Sequence, residues 1–389
     1  MSLHRHYTRF GCPDAAASDT FVQNEIMRSK NLFALLGCLC LIWSALSAQT
    51  EQSKNPNRFK IIGLPVFFFT PDTKLGGGAG GIATFNFPKD SLGARRSSVT
   101  VGVVYTQLNQ LLLYFPFQLF PKNQRYWISG EVGYYRYVFN YFGTGNGFSP
   151  DFIEKYDATF PRIRLNLSKK VAPGLYAGLR YAYDDFRFTR TETGGELDRN
   201  TVSGADGGRI SGLGGGINYD TRNSIFFPTK GWLLDASIYS ESALTGSQFN
   251  YRRLSADAAH YWSLGKKGVF ALNGVGVFSL GDVPFHQMPV IGGTKRLRGY
   301  FEGKYRDHHL ILLQGEYRQP LFWRLGAVAF GGLGLVGQDF EALAIQNTRH
   351  HFGAGLRLMI DKAQKINIRA DYGWGYRSSG FYLTFGEAF

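Results

Sequence analysis

The residues best suited to chemistry are charged, and many sit in one stretch. Residues 292–307 read GGTKRLRGYFEGKYRD, where seven of sixteen residues are charged and five of those are basic. Lys295, Arg296, Arg298, Lys304 and Arg306 suit binding of phosphate or carboxylate, and the arginine fork offers planar, two-pronged recognition. Catalytic constellations do not stand out. Ser, His and Asp all occur, yet no nucleophile elbow is present. LGGGAGG at 75–81 and GLGGGINYD at 212–220 are glycine-rich, but neither leads into the Lys-Ser/Thr of a phosphate loop. Glycines that let strands curve are the simpler reading. The pairs His308–His309 and His350–His351 lie at strand boundaries, where neighbouring side chains point to opposite faces, so neither is read as a metal site. No cofactor and no enzymatic activity are expected.

The chain has 389 residues, a formal net charge of +14 and a sequence pI near 9.6. Such a balance admits nucleic acid, anionic lipid or an acidic partner. The bases form no single run and are scattered along apolar segments, which argues against a nucleic-acid arm. Aromatics make up 16% of the residues and Gly 49 of them, a mix that suits strands and tight turns.

The elements that must position the loop are strands. In KINIRADYGWGY, 365–376, Ile366, Ile368, Ala370, Tyr372, Trp374 and Tyr376 alternate with Lys365, Asn367, Arg369 and Asp371. RIRLNLSKK sets Ile163, Leu165 and Leu167 against Arg162, Arg164, Asn166 and Ser168, and HFGAGLRLMI sets Phe352, Ala354, Leu356, Leu358 and Ile360 against Arg357. A soluble sandwich also alternates. Here, however, the polar face is rich in Arg, and the strands are long and continue to the last residue. A membrane barrel needs strands of about 9–11 residues, apolar outside and polar inside, and closed because lipid cannot satisfy a free edge. Roughly sixteen such segments are present, beginning near Phe59, Leu75, Ser97, Leu111, Arg125, Ala158, Leu175, Arg209, Trp232, Phe249, Val269, His309, Leu325, His350, Lys365 and Gly380. The fold class expected is all-β: a transmembrane antiparallel β-barrel of about sixteen strands with an inward-folded loop in the lumen. Long connections fall at about 140–157, 188–208 and 281–308. The pairs Tyr126–Trp127, Tyr134–Tyr135 and Tyr261–Trp262 fit interface girdles.

The expected domains follow. Residues 1–48 comprise an upstream extension and a signal peptide that starts at Met27, carries an apolar run from Leu32 to Trp43 and is cleaved near Ala48. Residues 49–58 form a short periplasmic lead, and 59–389 form the barrel. Cys12, Cys38 and Cys40 all precede the cleavage point, so no disulfide, thiolate metal site or Cys nucleophile is expected in the mature chain.

A barrel of this size leaves a lumen. If the loop folds inward, Arg298 needs an acidic partner. In ILLQGEYRQ, Ile311, Leu313 and Tyr317 share one face and Gln314, Glu316 and Arg318 the other, so Glu316 points inward, as does Asp371. Arg298 is expected to pair with Glu316 or Asp371. The other reading is an exposed basic loop facing outer-leaflet phosphates. The first strand, FKIIGLPVFFFTP, contains Gly63 and Pro65; a mid-strand proline removes a ladder donor and marks an edge or a bulge. In the last segment, FYLTFGEAF, Phe381, Leu383, Phe385 and Phe389 share one parity.

RLRGYFEGKYRD resembles the signature loop of the BamA and TamA superfamily of outer-membrane barrels, the bacterial surface antigen family. The match rests on Leu297, Arg298, Gly299 and Tyr300. DTRNSIFFPTKG, 220–231, is similar to a second family motif through Asp220, Arg222, Phe227, Pro228 and Gly231, and YFGTGNG, 141–147, is a weaker third. The terminal aromatic resembles the recognition signal of outer-membrane barrels. The resemblance implies an inward loop whose Arg is held by lumen acids. It also implies a weak seam between first and last strands, placed here at Gly63, Pro65, Phe385 and Phe389. AFGGLGLV carries Gly332 where the family often has an acid, which leaves Glu316 and Asp371 as the expected partners. Members usually carry POTRA domains; about ten residues separate Ala48 from the first strand, so a member without them is expected. The implied role is assembly, insertion or translocation of outer-membrane proteins or other envelope components, with a partner. The alternatives are an accessory barrel of a larger complex, or a passive anion pore lined by Arg162, Arg164, Arg357 and Arg369. Expected surroundings are outer-membrane lipid and lipopolysaccharide, client outer-membrane proteins and periplasmic or outer-membrane partners, with no nucleic acid.

Overall fold

The computed structural model describes residues 59–88, 95–149, 151–265, 267–362 and 365–389. The upstream extension, signal peptide and lead expected over 1–58 lie outside the described residues. In chain order the strands are β1 (Phe59–Thr70), β2 (Lys74–Phe85), β3 (Ser97–Thr106), β4 (Leu111–Leu119), β5 (Tyr126–Tyr141), β6 (Glu154–Ala172), β7 (Leu175–Arg190), β8 (Gly208–Asp220), β9 (Gly231–Glu241), β10 (Tyr251–Leu264), β11 (Gly268–Gly281), β12 (Val290–Ile291), β13 (Tyr305–Arg306), β14 (His309–Pro320), β15 (Leu325–Gly337), β16 (Arg349–Asp361), β17 (Ile366–Gly375) and β18 (Ser378–Phe385). Sixteen of them close into an antiparallel barrel in which chain neighbours are sheet neighbours. The exceptions are β12 and β13, a two-residue ribbon inside the 282–308 loop that joins β11 to β14. Each observed barrel strand starts within a few residues of the start read from the sequence, because period-two alternation is what a lipid-facing wall and a polar interior impose.

An even strand number puts Phe59 and Phe385 at one end. The longest connections, 142–153, 191–207 and 282–308, all lie at the other. Short turns face the periplasm and longer loops the exterior in barrels of this kind. The interior is not uniformly polar. Tyr141, Tyr156, Phe160, Phe186, Leu197 and Phe285 form an apolar plug at the loop end, with Phe160 and Phe186 stacked 4.2 Å apart. The sequence pairs assigned to girdles split across the wall: Tyr134 and Trp262 face outward, whereas Tyr135 stacks inside on Phe160 and Tyr261 is buried. Adjacent strand residues cannot both face lipid.

Closure is uneven. β1 pairs with β2 at twelve positions, including Pro65 opposite Ala79, without a bulge. β1 meets β18 in register at one position, Phe69 opposite Leu383. Among the described residues, most of the outer edge of β1 therefore lacks a ladder partner.

Leu313 points outward near mid-strand and Leu321 lies in the β14–β15 turn. Leu313→Arg should lower the unfolding free energy in lipid vesicles by about 2–4 kcal/mol, and Leu321→Arg by about 0–1 kcal/mol. Equal costs in denaturant titrations would contradict the membrane placement.

Candidate functional site

The 282–308 loop enters the barrel and lays its backbone on the wall. Gly299 has φ +112°, and a Cβ there would lie 2.7 Å from the carbonyl carbon of Gly373 in β17. A Cβ on Gly373 would lie 2.5 Å from the Arg298 oxygen, so two glycines let loop and strand touch. One position further along the same face, Gly375 leaves room for the Tyr300 ring. Leu297 and Tyr300 are fully buried with Ile291 against Val275 and Val277 of β11, Leu310 and Leu312 of β14 and Val336 of β15.

Arg298 is fully buried between two carboxylates. Its Nη1 donates to Asp371 Oδ2 at 2.5 Å and its Nη2 donates to Glu316 Oε2. The guanidinium lies 3.6 Å from the Phe330 ring centroid, which adds a cation–π contact. The acids serve other bases as well. Arg318 Nε donates to Glu316 at 2.7 Å, Arg357 Nη1 to Asp371 at 2.5 Å and Arg357 Nε to Glu387 at 2.8 Å. A buried charge is tolerated only when paired and hydrogen-bonded, so the cluster holds together as a unit. The loop backbone is held too. Tyr382 Oη of β18 accepts from Gly299 N at 2.9 Å and donates to the Tyr300 oxygen at 3.0 Å. His351 Nδ1 lies 3.0 Å from the Arg298 oxygen and must donate, because a carbonyl only accepts. Tyr300 Oη donates to the His350 oxygen at 2.8 Å.

Gly332 sits opposite Gln314 in the β14–β15 ladder, and a Cβ there would lie 2.6 Å from that of Gln314. Gln314 Nε2 donates to the Lys295 oxygen at 2.8 Å, so an amide rather than an acid fixes the loop there.

The second sequence motif forms the β8–β9 turn. Arg222 grips Asp220 through Nε at 3.0 Å and Nη2 at 3.1 Å. Gly231 has φ +103°, where a Cβ would meet the Thr221 oxygen at 2.3 Å. Phe227 and Pro228 are buried, and the Arg318 guanidinium lies 6.0 Å from the Phe227 ring. The turn thus borders the Arg298 cluster through Arg318. The third segment also touches the loop: Gly145 N donates to the Arg306 oxygen at 2.8 Å, and Asn146 to the Val336 oxygen at 2.8 Å.

Of the residues assigned to the seam, Gly63 and Pro65 lie in β1, and Phe385 ends β18 facing outward. Phe389 does not lie there. Gly386 takes φ +77° and turns the chain inward, where Glu387 pairs with Arg357 and Phe389 packs by Ala259, Tyr261 and Ala271. The Phe389 oxygen accepts from Arg318 Nη2 at 2.8 Å. Parity alone had extended the strand through Phe389. Glu387, a charge in an otherwise apolar last segment, marks the turn by pairing inside the barrel.

The Omp85 superfamily domain model matches residues 96–389. The chain belongs to the Omp85 superfamily. Solved structures agree at the level of fold. BamA from Haemophilus ducreyi lacking POTRA domains 1-3 aligns with a TM-score of 0.57 at 16% identity, over 86% of this chain and 71% of that one. CdiB from Acinetobacter baumannii gives 0.54 at 16%, over 85% and 60%, and CdiB from Escherichia coli 0.58 at 12%, over 86% and 64%. The Omp85 barrel thus spans less than two thirds of each CdiB chain. No curated protein sequence matches it. Superfamily and fold together make it an integral outer-membrane protein.

A further contact reaches the far side of the seam. Glu302 N donates to Asp72 Oδ1 in the β1–β2 turn at 3.0 Å. Burial, then the nearby Glu302 carboxylate, pushes the Asp72 carboxyl up to about 7 from an ordinary 3.8. Burial raises Glu302 as well. Lys74, Tyr137 and Tyr382 also face this pair.

Two outcomes follow. Arg298→Ala should free the loop to protease and destabilise the barrel by about 3–5 kcal/mol, since two carboxylates lose a buried partner. Arg298→Lys should rescue little, because an ammonium cannot span both acids. A protected loop in Arg298→Ala would contradict this. For Asp72, the docked loop holds the extra proton between about pH 4 and 7, so docking weakens as pH rises through 7 and strengthens as it falls. Proteolysis of the loop should slow from pH 8 to 5.5, by up to about tenfold per unit, and Asp72→Asn should flatten that dependence.

Proposed function

We propose that this barrel assists insertion or translocation of polypeptides at the outer membrane, through a seam between β1 and β18. It acts without enzymatic chemistry, is exported by its signal peptide, and works with a periplasmic or outer-membrane partner. The observation that carries the reading is the closure of the barrel by one register pair, Phe69 with Leu383. Polypeptide could enter the membrane only where strands part at small cost. The loop supports the same reading, because it grips both sides of the seam: Tyr382 of β18 on one, Asp72 beside β1 on the other. Release of these contacts would free the edge of β1 to pair with an incoming strand. Client outer-membrane proteins, lipid and lipopolysaccharide belong to this proposal.

The fully buried Arg298 cluster favours a second reading, an accessory barrel whose plugged lumen is a scaffold. The passive anion pore is less well supported. Arg162 and Arg164 both pair with Asp184, Arg357 pairs with Asp371 and Glu387, and Arg369 donates to Thr384 Oγ1 and to the Thr294 oxygen.

All three cysteines precede Ala48, so a Phe69→Cys, Leu383→Cys pair would be unique in the processed chain. Oxidation of this pair should block client insertion, assayed as outer-membrane protein levels, and reduction should restore it. Equal levels in both states would leave the scaffold reading in place.

A further inference from the structure

The excess positive charge of the chain has a location. At the rim where the short turns lie, six of the seven hairpin ends carry an exposed base: Arg96, Lys122, Lys169, Lys230, Lys267 and Lys362. The seventh holds Arg324, half-buried against the carbonyl oxygens of Met359 and Ile360. Lys60 is the second residue of β1, and Lys170 doubles the charge near the end of β6. Among the described residues no exposed carboxylate accompanies them. Asp220 is paired with Arg222, Asp361 is half-buried, and Glu387 is buried with Arg357. The loop rim differs, with exposed Asp151, Glu192, Asp198, Asp206, Asp282 and Asp339 interspersed among its bases.

We propose that the turn rim is a collar that binds the anionic phospholipid headgroups of the adjoining, periplasm-facing leaflet. The geometry favours lipid over an acidic protein. The bases encircle the barrel rather than form one patch, and only a leaflet surrounds a barrel on every side. Exposed apolar side chains lie at the same level: Phe322 and Trp323 in the β14–β15 turn, Trp262 and Leu264 at the end of β10, Phe226 in the β8–β9 turn. Aromatics at headgroup depth with lysines reaching to the phosphates are the arrangement of a membrane interface. Each base near an anionic surface adds to the attraction, and salt screens it. The inference rests on the outer-membrane placement and not on any role in insertion.

The test uses the intact barrel, incubated with an equimolar mixture of phosphatidylglycerol and phosphatidylethanolamine in mild detergent, with retained lipid counted by mass spectrometry. Phosphatidylglycerol should be enriched about fivefold at low salt, and the enrichment should fall toward one in 0.5 M salt. Replacing Lys122, Lys169, Lys170, Lys230 and Lys267 with Gln should abolish the preference, whereas Arg187→Gln with Arg190→Gln at the loop rim should leave it. These Gln variants lie on the surface, and heat-modifiable gel mobility reports whether each has folded. An acidic protein as the true partner would appear as no lipid preference in the native barrel. That result, or enrichment insensitive to salt, would overturn the proposal, and the salt arm decides even if the multiple variant fails to fold.

Discussion

A guanidinium buried away from bulk solvent needs counter-charges and hydrogen-bond acceptors around it, and much of this structure answers that constraint. Arg298 stands between Asp371 of β17 and Glu316 of β14. Those strands are not sheet neighbours; β15 and β16 lie between them. One side chain therefore ties together a four-strand sector of the wall. The acids in turn order Arg318 and Arg357, and these reach Glu387 and the backbone of Phe389 below. A loop entering from one end and a chain segment turning in from the other meet on the same cluster.

Strand positions were legible because alternation is forced at every residue of a two-faced wall. Glu316 and Asp371 were legible for the same reason: parity places them inside, and an inward arginine needs acids. Other contacts left weaker traces. Gly373 and Gly375 on the lumen face of β17 marked where the loop backbone approaches. The unbroken apolar run Leu310 to Leu313 marked a strand covered on both faces, by lipid and by Leu297, Tyr300 and Ile291. Asp72 was not legible, because a single acid in a tight turn carries no period that points to a loop 230 residues away. Phe389 misled for a related reason. Period-two parity cannot show where a strand ends, and the sign was Gly386 with a charge beside it.

Charge divides the molecule in a way composition alone concealed. The loop that looked like a basic surface element spends Arg298 internally and buries Arg306. The net excess instead lies on the opposite rim, beside exposed aromatics. Interior and exterior cations thus have different tasks, the first structural and the second facing the leaflet. The seam lies apart from both. Its ladder is one pair long, and the loop contacts to Tyr382 and Asp72 supplement it.

The central claim is that the Arg298 cluster acts as one interdependent unit. A double-mutant cycle on Arg298→Met and Asp371→Asn, read as unfolding free energies in lipid vesicles, tests it most directly. Each single change should cost several kcal/mol, and the double change should cost less than their sum by about 1.5–3 kcal/mol. Costs that simply add would show that the two side chains contribute independently and would contradict the account.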